Sequence, residues 1–268
     1  MKNIVTSVAA LAALTTVASA ADLPRRALPP AAFPVPVFTW TGAYFGINAG
    51  YITSTKDIVD TVGTIRAPNG RPDLDYSASA PLPRDGFTGG GQVGYNYQLT
   101  PGSGFVVGVE ADAAYTALRR SSSFQSSILG THNFRQSSDY LGTVRGRIGY
   151  AVDRTLFYAT GGFAYAGDTY RASLFQTRIE PNFYGSRART ETGYAVGGGI
   201  EYALPTDSFL NVFHSSAVTV KGEALYYDLG SRTIPVLPTY RNVNVFGTRF
   251  QNEGALGRVG VNYKFGSY

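Results

Sequence analysis

From Trp40 onward the chain repeats one pattern: a segment of about ten residues in which apolar side chains alternate with small or polar ones, then residues that favour turns. Alternation with a period of two marks strands whose two faces meet different surroundings. Eight such segments stand at about 41–53, 87–98, 105–116, 140–151, 155–166, 191–203, 217–228 and 255–265. After residue 21 no apolar run approaches the roughly 18 residues that a membrane helix needs. The pattern predicts an all-β fold: a closed, antiparallel, up-and-down transmembrane β-barrel of eight strands. Ten strands is the alternative, should a long connection conceal another pair.

The more apolar face of each segment carries no charge. It presents Phe45, Ile47 and Tyr51; Phe87, Val93 and Tyr95; Val107, Val109 and Tyr115; Tyr140, Val144, Ile148 and Tyr150. Phe157, Phe163 and Tyr165; Tyr194, Val196, Ile200 and Tyr202; Val218, Val220 and Tyr226; and Val259, Val261, Tyr263 and Phe265 complete it. A lysine or arginine facing mid-bilayer lipid costs roughly 2–4 kcal/mol, so this face is predicted to meet lipid. Its ends are aromatic. Tyr51, Phe87, Tyr115, Tyr140, Tyr165, Tyr194 and Tyr226 fall at one rim, and Tyr95, Tyr150, Phe157, Tyr202, Tyr263 and Phe265 at the other. Two such belts suit the two membrane interfaces.

The opposite faces carry the charge: Glu110, Asp112, Glu201 and Glu223 against Arg145, Arg147, Lys221, Arg258 and Lys264. Asn48, Gln92, Asn96 and Asn262 join them. An eight-stranded barrel is wide enough only for its own side chains. A charge there without a partner is costly to desolvate, so these residues are predicted to pair and plug the lumen. Setting Tyr115 opposite Tyr140 brings Glu110 opposite Arg145, and a similar alignment sets Glu223 beside Arg258. The alternative is a hydrated lumen that passes ions.

Connections after the second, fourth and sixth segments are short, about 6, 3 and 13 residues, whereas the others run to roughly 23–33. Short periplasmic turns and long outer loops are the usual asymmetry of such barrels. It puts both termini in the periplasm of a Gram-negative cell and the barrel in its outer membrane.

Residues 1–20 read as a cleaved secretory signal, with Lys2, an apolar stretch over 4–17, and Ala18 and Ala20 at a small-x-small cleavage site. Residues 21–39 form a proline-rich periplasmic linker, 40–265 the barrel, and 266–268 a short extension. There is no cysteine, which removes disulfides, thiolate metal sites and a cysteine nucleophile. The net charge of +5 has no Lys/Arg run behind it, so nucleic acid is not an expected partner. The expected partners are outer-membrane lipids, the barrel-assembly machinery and an extracellular ligand at the outer loops.

Several stretches then carry a resemblance. The run 40–46, Trp-Thr-Gly-Ala-Tyr-Phe-Gly, resembles the first strand of the small outer-membrane immunogenic, porin-like barrels of alphaproteobacteria. So, in the family's order, do 89–96, 108–112, 142–150, 156–162, 196–202 and 260–265. The resemblance implies an eight-stranded barrel of OmpA-like type. Its implied roles are surface antigen, envelope structure and, in some members, haem binding or pore formation. Arg258, Gly260, Tyr263 and Phe265 also fit the barrel-assembly signal, although Gly266, Ser267 and Tyr268 follow where the family usually ends.

No catalytic constellation emerges. The two histidines, His132 in the second outer loop and His214 in the third periplasmic turn, are expected on opposite sides of the membrane and so cannot share a metal or catalytic site. The glycine runs 89–91 and 197–199 lack the Lys-Ser/Thr of a phosphate loop and fit crowded strands. The expected function is structural: an uncatalytic envelope barrel without cofactor. A small pore is one alternative. Haem or another ligand held by loop residues such as His132, Tyr170, Tyr184 or Tyr240 is the other.

Overall fold

The computed structural model describes residues 37–56, 58–66, 71–127, 130–175, 183–205, 208–238 and 244–266. The signal region with Ala18 and Ala20, most of the linker, Tyr240 and the last two residues lie outside them. Ten antiparallel strands form one sheet: β1 (Gly42–Ser54), β2 (Ile58–Arg66), β3 (Pro72–Pro81), β4 (Asp85–Gln98), β5 (Gly104–Ser126), β6 (Gly130–Val152), β7 (Thr155–Phe175), β8 (Phe183–Ala203), β9 (Ala217–Pro238) and β10 (Val245–Phe265). Eight of them close a ring in the order β1-β4-β5-β6-β7-β8-β9-β10, and β10 returns to β1. The remaining pair, β2 and β3, is the strand pair concealed in the first long connection. It is not part of that eight-strand ring: β2 pairs with Val245–Arg249 of β10, beyond the stretch of β10 that pairs with β1.

The other long connections are a correction. Their described residues are not loops but continuations of the strands, so β5 to β10 each run 21 to 23 residues. The barrel therefore has two zones. In the first, near the chain termini, the apolar residues point outward: Ile47 is 70% exposed and Phe87 75%. In the second the faces exchange chemistry. On β5 the outward side chains pass from Tyr115 to Arg119, Ser121, Ser123 and Gln125, while Leu118 and Phe124 pack inside. A wall that faces lipid must be apolar outside, and one that faces water can be apolar only inside. The alternation changes phase where the sheet is irregular. Asp139 and Tyr140 both face out at a bulge in β6, and β9 changes phase between Leu229 and Ile234, where Gly230 takes a φ of +78°.

The two aromatic rims follow from the register. Tyr51 pairs with Phe87 and Tyr115 with Tyr140 at one level; Phe105 and Phe157 flank Tyr150 at the other. Val218 departs from the expected lipid face. It is fully buried, on the side where Phe213 of the turn before β9 rests against its cross-strand neighbour Tyr263, with ring centroids 4.8 Å apart. The end of the proposed linker also departs. Phe38 packs edge-on against Trp40 at 5.4 Å, so the last residues before β1 belong to the barrel.

Candidate functional site

The interior is built in layers, and the charged one lies in the membrane zone. Period-two alternation aims Glu110 and Asp112 of β5, Arg145 and Arg147 of β6, Glu201 of β8, Lys221 and Glu223 of β9 and Arg258 of β10 inward, and all eight are buried. The register sets Glu110 opposite Arg145 and Glu223 opposite Arg258.

Arg145 is the hub. Its Nη2 donates to Glu110 Oε1 at 2.7 Å and Asp112 Oδ2 at 3.0 Å, and its Nη1 to Glu223 Oε1 at 2.9 Å. Arg258 closes the opposite side, with Nε on Glu223 Oε2 at 2.7 Å and Nη1 on Asp112 Oδ1 at 3.0 Å. Lys221 Nζ lies 2.9 Å from both oxygens of Glu110. Arg147 reaches Glu201 Oε2 at 2.8 Å and the Tyr44 hydroxyl at 2.7 Å, and its guanidinium lies 3.8 Å from the Tyr158 ring centroid. Four cations thus meet four carboxylates, and the layer balances.

Polar side chains finish it. Asn48 donates to Gln92 at 2.8 Å, Gln92 to Asn262 at 2.5 Å and Asn262 to Glu201 at 2.9 Å. Tyr44 lies across Gly94, where a Cβ would collide with its hydroxyl, so a bare backbone is required there. Lys264 stands outside the network. Its Nζ lies 5.7 Å from the Phe38 ring centroid, and no ion pair with it is found among the described residues.

Apolar layers flank the charges on both sides. Toward the termini, Trp40 packs with Val106, Ala151, Leu156, Tyr158 and Ala203, and its Nε1 donates to the Asp153 carbonyl at 3.2 Å. Beyond the charges lies a layer that includes Ile52, Leu118, Leu141, Leu225 and Leu256. Above it, Asn252 links Arg84, Gln136 and Asp168 by hydrogen bonds of 3.1, 2.5 and 2.8 Å. Last comes the aromatic core of the second zone, with Tyr76, Phe134, Tyr170, Phe183, Phe246 and Phe250. None of these four additional layers was expected from the sequence. Their residues lie in what reads as loop, or as the weakly patterned ends of segments.

His132 is corrected in the same way. It belongs to β6 and is fully buried in that aromatic core, with Nε2 2.9 Å from the Tyr76 hydroxyl. His214 lies in the exposed turn between β8 and β9, at the opposite end of the barrel. Tyr170 and Tyr184 are strand residues of β7 and β8. The Tyr170 hydroxyl is engaged by Asn252, and Tyr184 faces outward. Of the assembly-signal residues, Arg258 and Gly260 point inward, and the Phe265 ring stacks on Phe45 with centroids 5.5 Å apart.

The chain matches the family model described as the outer membrane protein beta-barrel domain over residues 6–265. It is 33% identical over 271 residues to the 31 kDa outer-membrane immunogenic protein of Brucella melitensis, spanning 99% of this chain and 100% of that protein. The 25 kDa outer-membrane immunogenic protein of Brucella abortus is 27% identical over 270 residues, 99% of each chain. Among solved structures, the outer membrane protein OprG from Pseudomonas aeruginosa is similar, with a TM-score of 0.46, 16% identity, and coverage of 87% of this chain and 100% of that one.

Proposed function

This chain belongs to the outer membrane protein beta-barrel domain family, and we propose that it serves the Gram-negative outer membrane as a closed, non-catalytic structural barrel rather than as a pore. The observation that carries this reading is the balanced charge layer centred on Arg145, sealed by the Trp40 cluster on one side and the Ile52 layer on the other. A solute crossing the barrel would have to separate ion pairs that water does not reach. Breaking a buried pair by removing one partner costs about 3–5 kcal/mol. In this reading the end with the short turns and the termini faces the periplasm, and the second zone stands outside the cell. The partners are outer-membrane lipids and the assembly machinery, which would read the strand ending in Phe265.

Single-channel recording tests the closed barrel. The wild type is expected to give small, rare openings, and Arg145→Ala or Glu110→Ala to open more often. A large, steady wild-type conductance that neither change alters would refute the closed barrel and favour a pore.

A further inference from the structure

Three arginines far apart in sequence converge on the outer surface just beyond one aromatic rim. Arg119 of β5, Arg135 of β6 and Arg171 of β7 line a cleft of about 230 Å³ with Ser137, Asp139 and Thr169. Arg135 and Arg171 stand directly opposite each other in the β6–β7 register, and both are exposed. Like charges so placed repel and destabilise a sheet. The single carboxylate in the cleft, Asp139, is 3.6 Å from Arg119, which leaves the facing pair without an anion in the cleft.

A second cleft, of about 440 Å³, lies on the lipid-facing surface of the same wall. Phe45 and Val93 form one side and Val144 and Tyr165 the other, over a floor of Gly91 and Ala113. The two clefts share β5, β6 and β7. On β7, Tyr165 lines the lower and Arg171 the upper, six residues or about 20 Å along the strand. An apolar groove thus lies in the membrane zone of the same three strands whose arginines stand beyond the aromatic rim.

We infer that this wall holds a phosphorylated lipid of the outer leaflet, with a phosphate on Arg135 and Arg171 and an acyl chain in the groove over Gly91. Guanidinium forks pair with phosphate oxygens in a two-pronged geometry, and an anion between the facing arginines turns their repulsion into attraction. The inference rests on the orientation given above, and not on whether the lumen is closed.

The test uses the protein in zwitterionic detergent, with diphosphorylated lipid A and the same lipid stripped of phosphate as probes, and retention read by native mass spectrometry. The wild type is expected to hold the phosphorylated lipid at least tenfold more tightly. The double change Arg135→Gln and Arg171→Gln removes that preference, and Arg119→Gln reduces it. Gly91→Leu weakens both lipids alike. A Cβ at Gly91 meets only the Gly46 carbonyl oxygen, at 3.7 Å, so the strand accepts a side chain at that point of the groove floor. Equal retention of the two lipids, a preference that survives the double change, or Gly91→Leu binding both lipids as the wild type does would overturn the inference. So would inorganic pyrophosphate displacing the lipid at equal concentration, which would mark a simple anion site.

Discussion

Glu110 and Arg145 face each other across the β5–β6 pair, and a 2.7 Å hydrogen bond joins Arg145 Nη2 to Glu110 Oε1 with both side chains fully buried. Arg145 also holds Asp112 and Glu223, so its removal leaves three carboxylates short of a partner. Arg145→Met is expected to lower the unfolding free energy by about 3–5 kcal/mol in urea titrations of the reconstituted barrel. Adding Glu110→Gln should recover part of the loss, because it restores the charge balance. A loss below about 1 kcal/mol would mean that water already screens the layer.

Trp40 is the one tryptophan in the chain and is 1% exposed beneath the charge layer. Its fluorescence should be blue-shifted and resistant to both aqueous acrylamide and brominated lipid, since it faces neither solvent. Trp40→Ala removes the largest side chain of the terminal cluster and should cost about 3–5 kcal/mol. Strong quenching by acrylamide would show that this end of the barrel is open.

Burial pushes the pKa of His132 down from 6.5 to about 4. In the unfolded chain the imidazole takes up its proton near 6.5. Folding therefore has the full benefit of a neutral His132 above that pH and loses it progressively as pH falls toward about 4. Tyr76 of β3 is its hydrogen-bond partner, so the β2–β3 hairpin should loosen first. Proteolysis of segment 58–81 should rise between pH 6.5 and 4, and His132→Phe should flatten that rise. The same slope in the variant would assign the effect to another group.

Phe265 stacks on Phe45 at the β1–β10 closure, whereas Tyr268 follows the last strand. Phe265→Ala should therefore lower the amount of heat-modifiable barrel in the outer membrane more than Tyr268→Ala. Equal losses would place the assembly signal three residues later.

The membrane zone was legible in the sequence because there a strand obeys a local rule. Lipid outside and a narrow lumen inside force alternation at every second residue, so Ile47, Val144 and Val259 declare one face and Glu110, Arg145 and Arg258 the other. Register followed from matching the aromatic rims, which is why Glu110 against Arg145 could be read without coordinates. The second zone obeys a weaker constraint. Its outer wall meets water, and serine, threonine and arginine serve equally in a loop or on a wet strand face. The segments holding Arg119, His132 and Tyr170 therefore read as loops, and bulges such as that at Asp139 further broke their period. Only the tertiary structure placed Lys264 apart from the charge layer, buried Val218, folded β2 and β3 beside β10, and brought Arg119, Arg135 and Arg171 together. These outcomes depend on which distant strands become neighbours, and no local pattern encodes that.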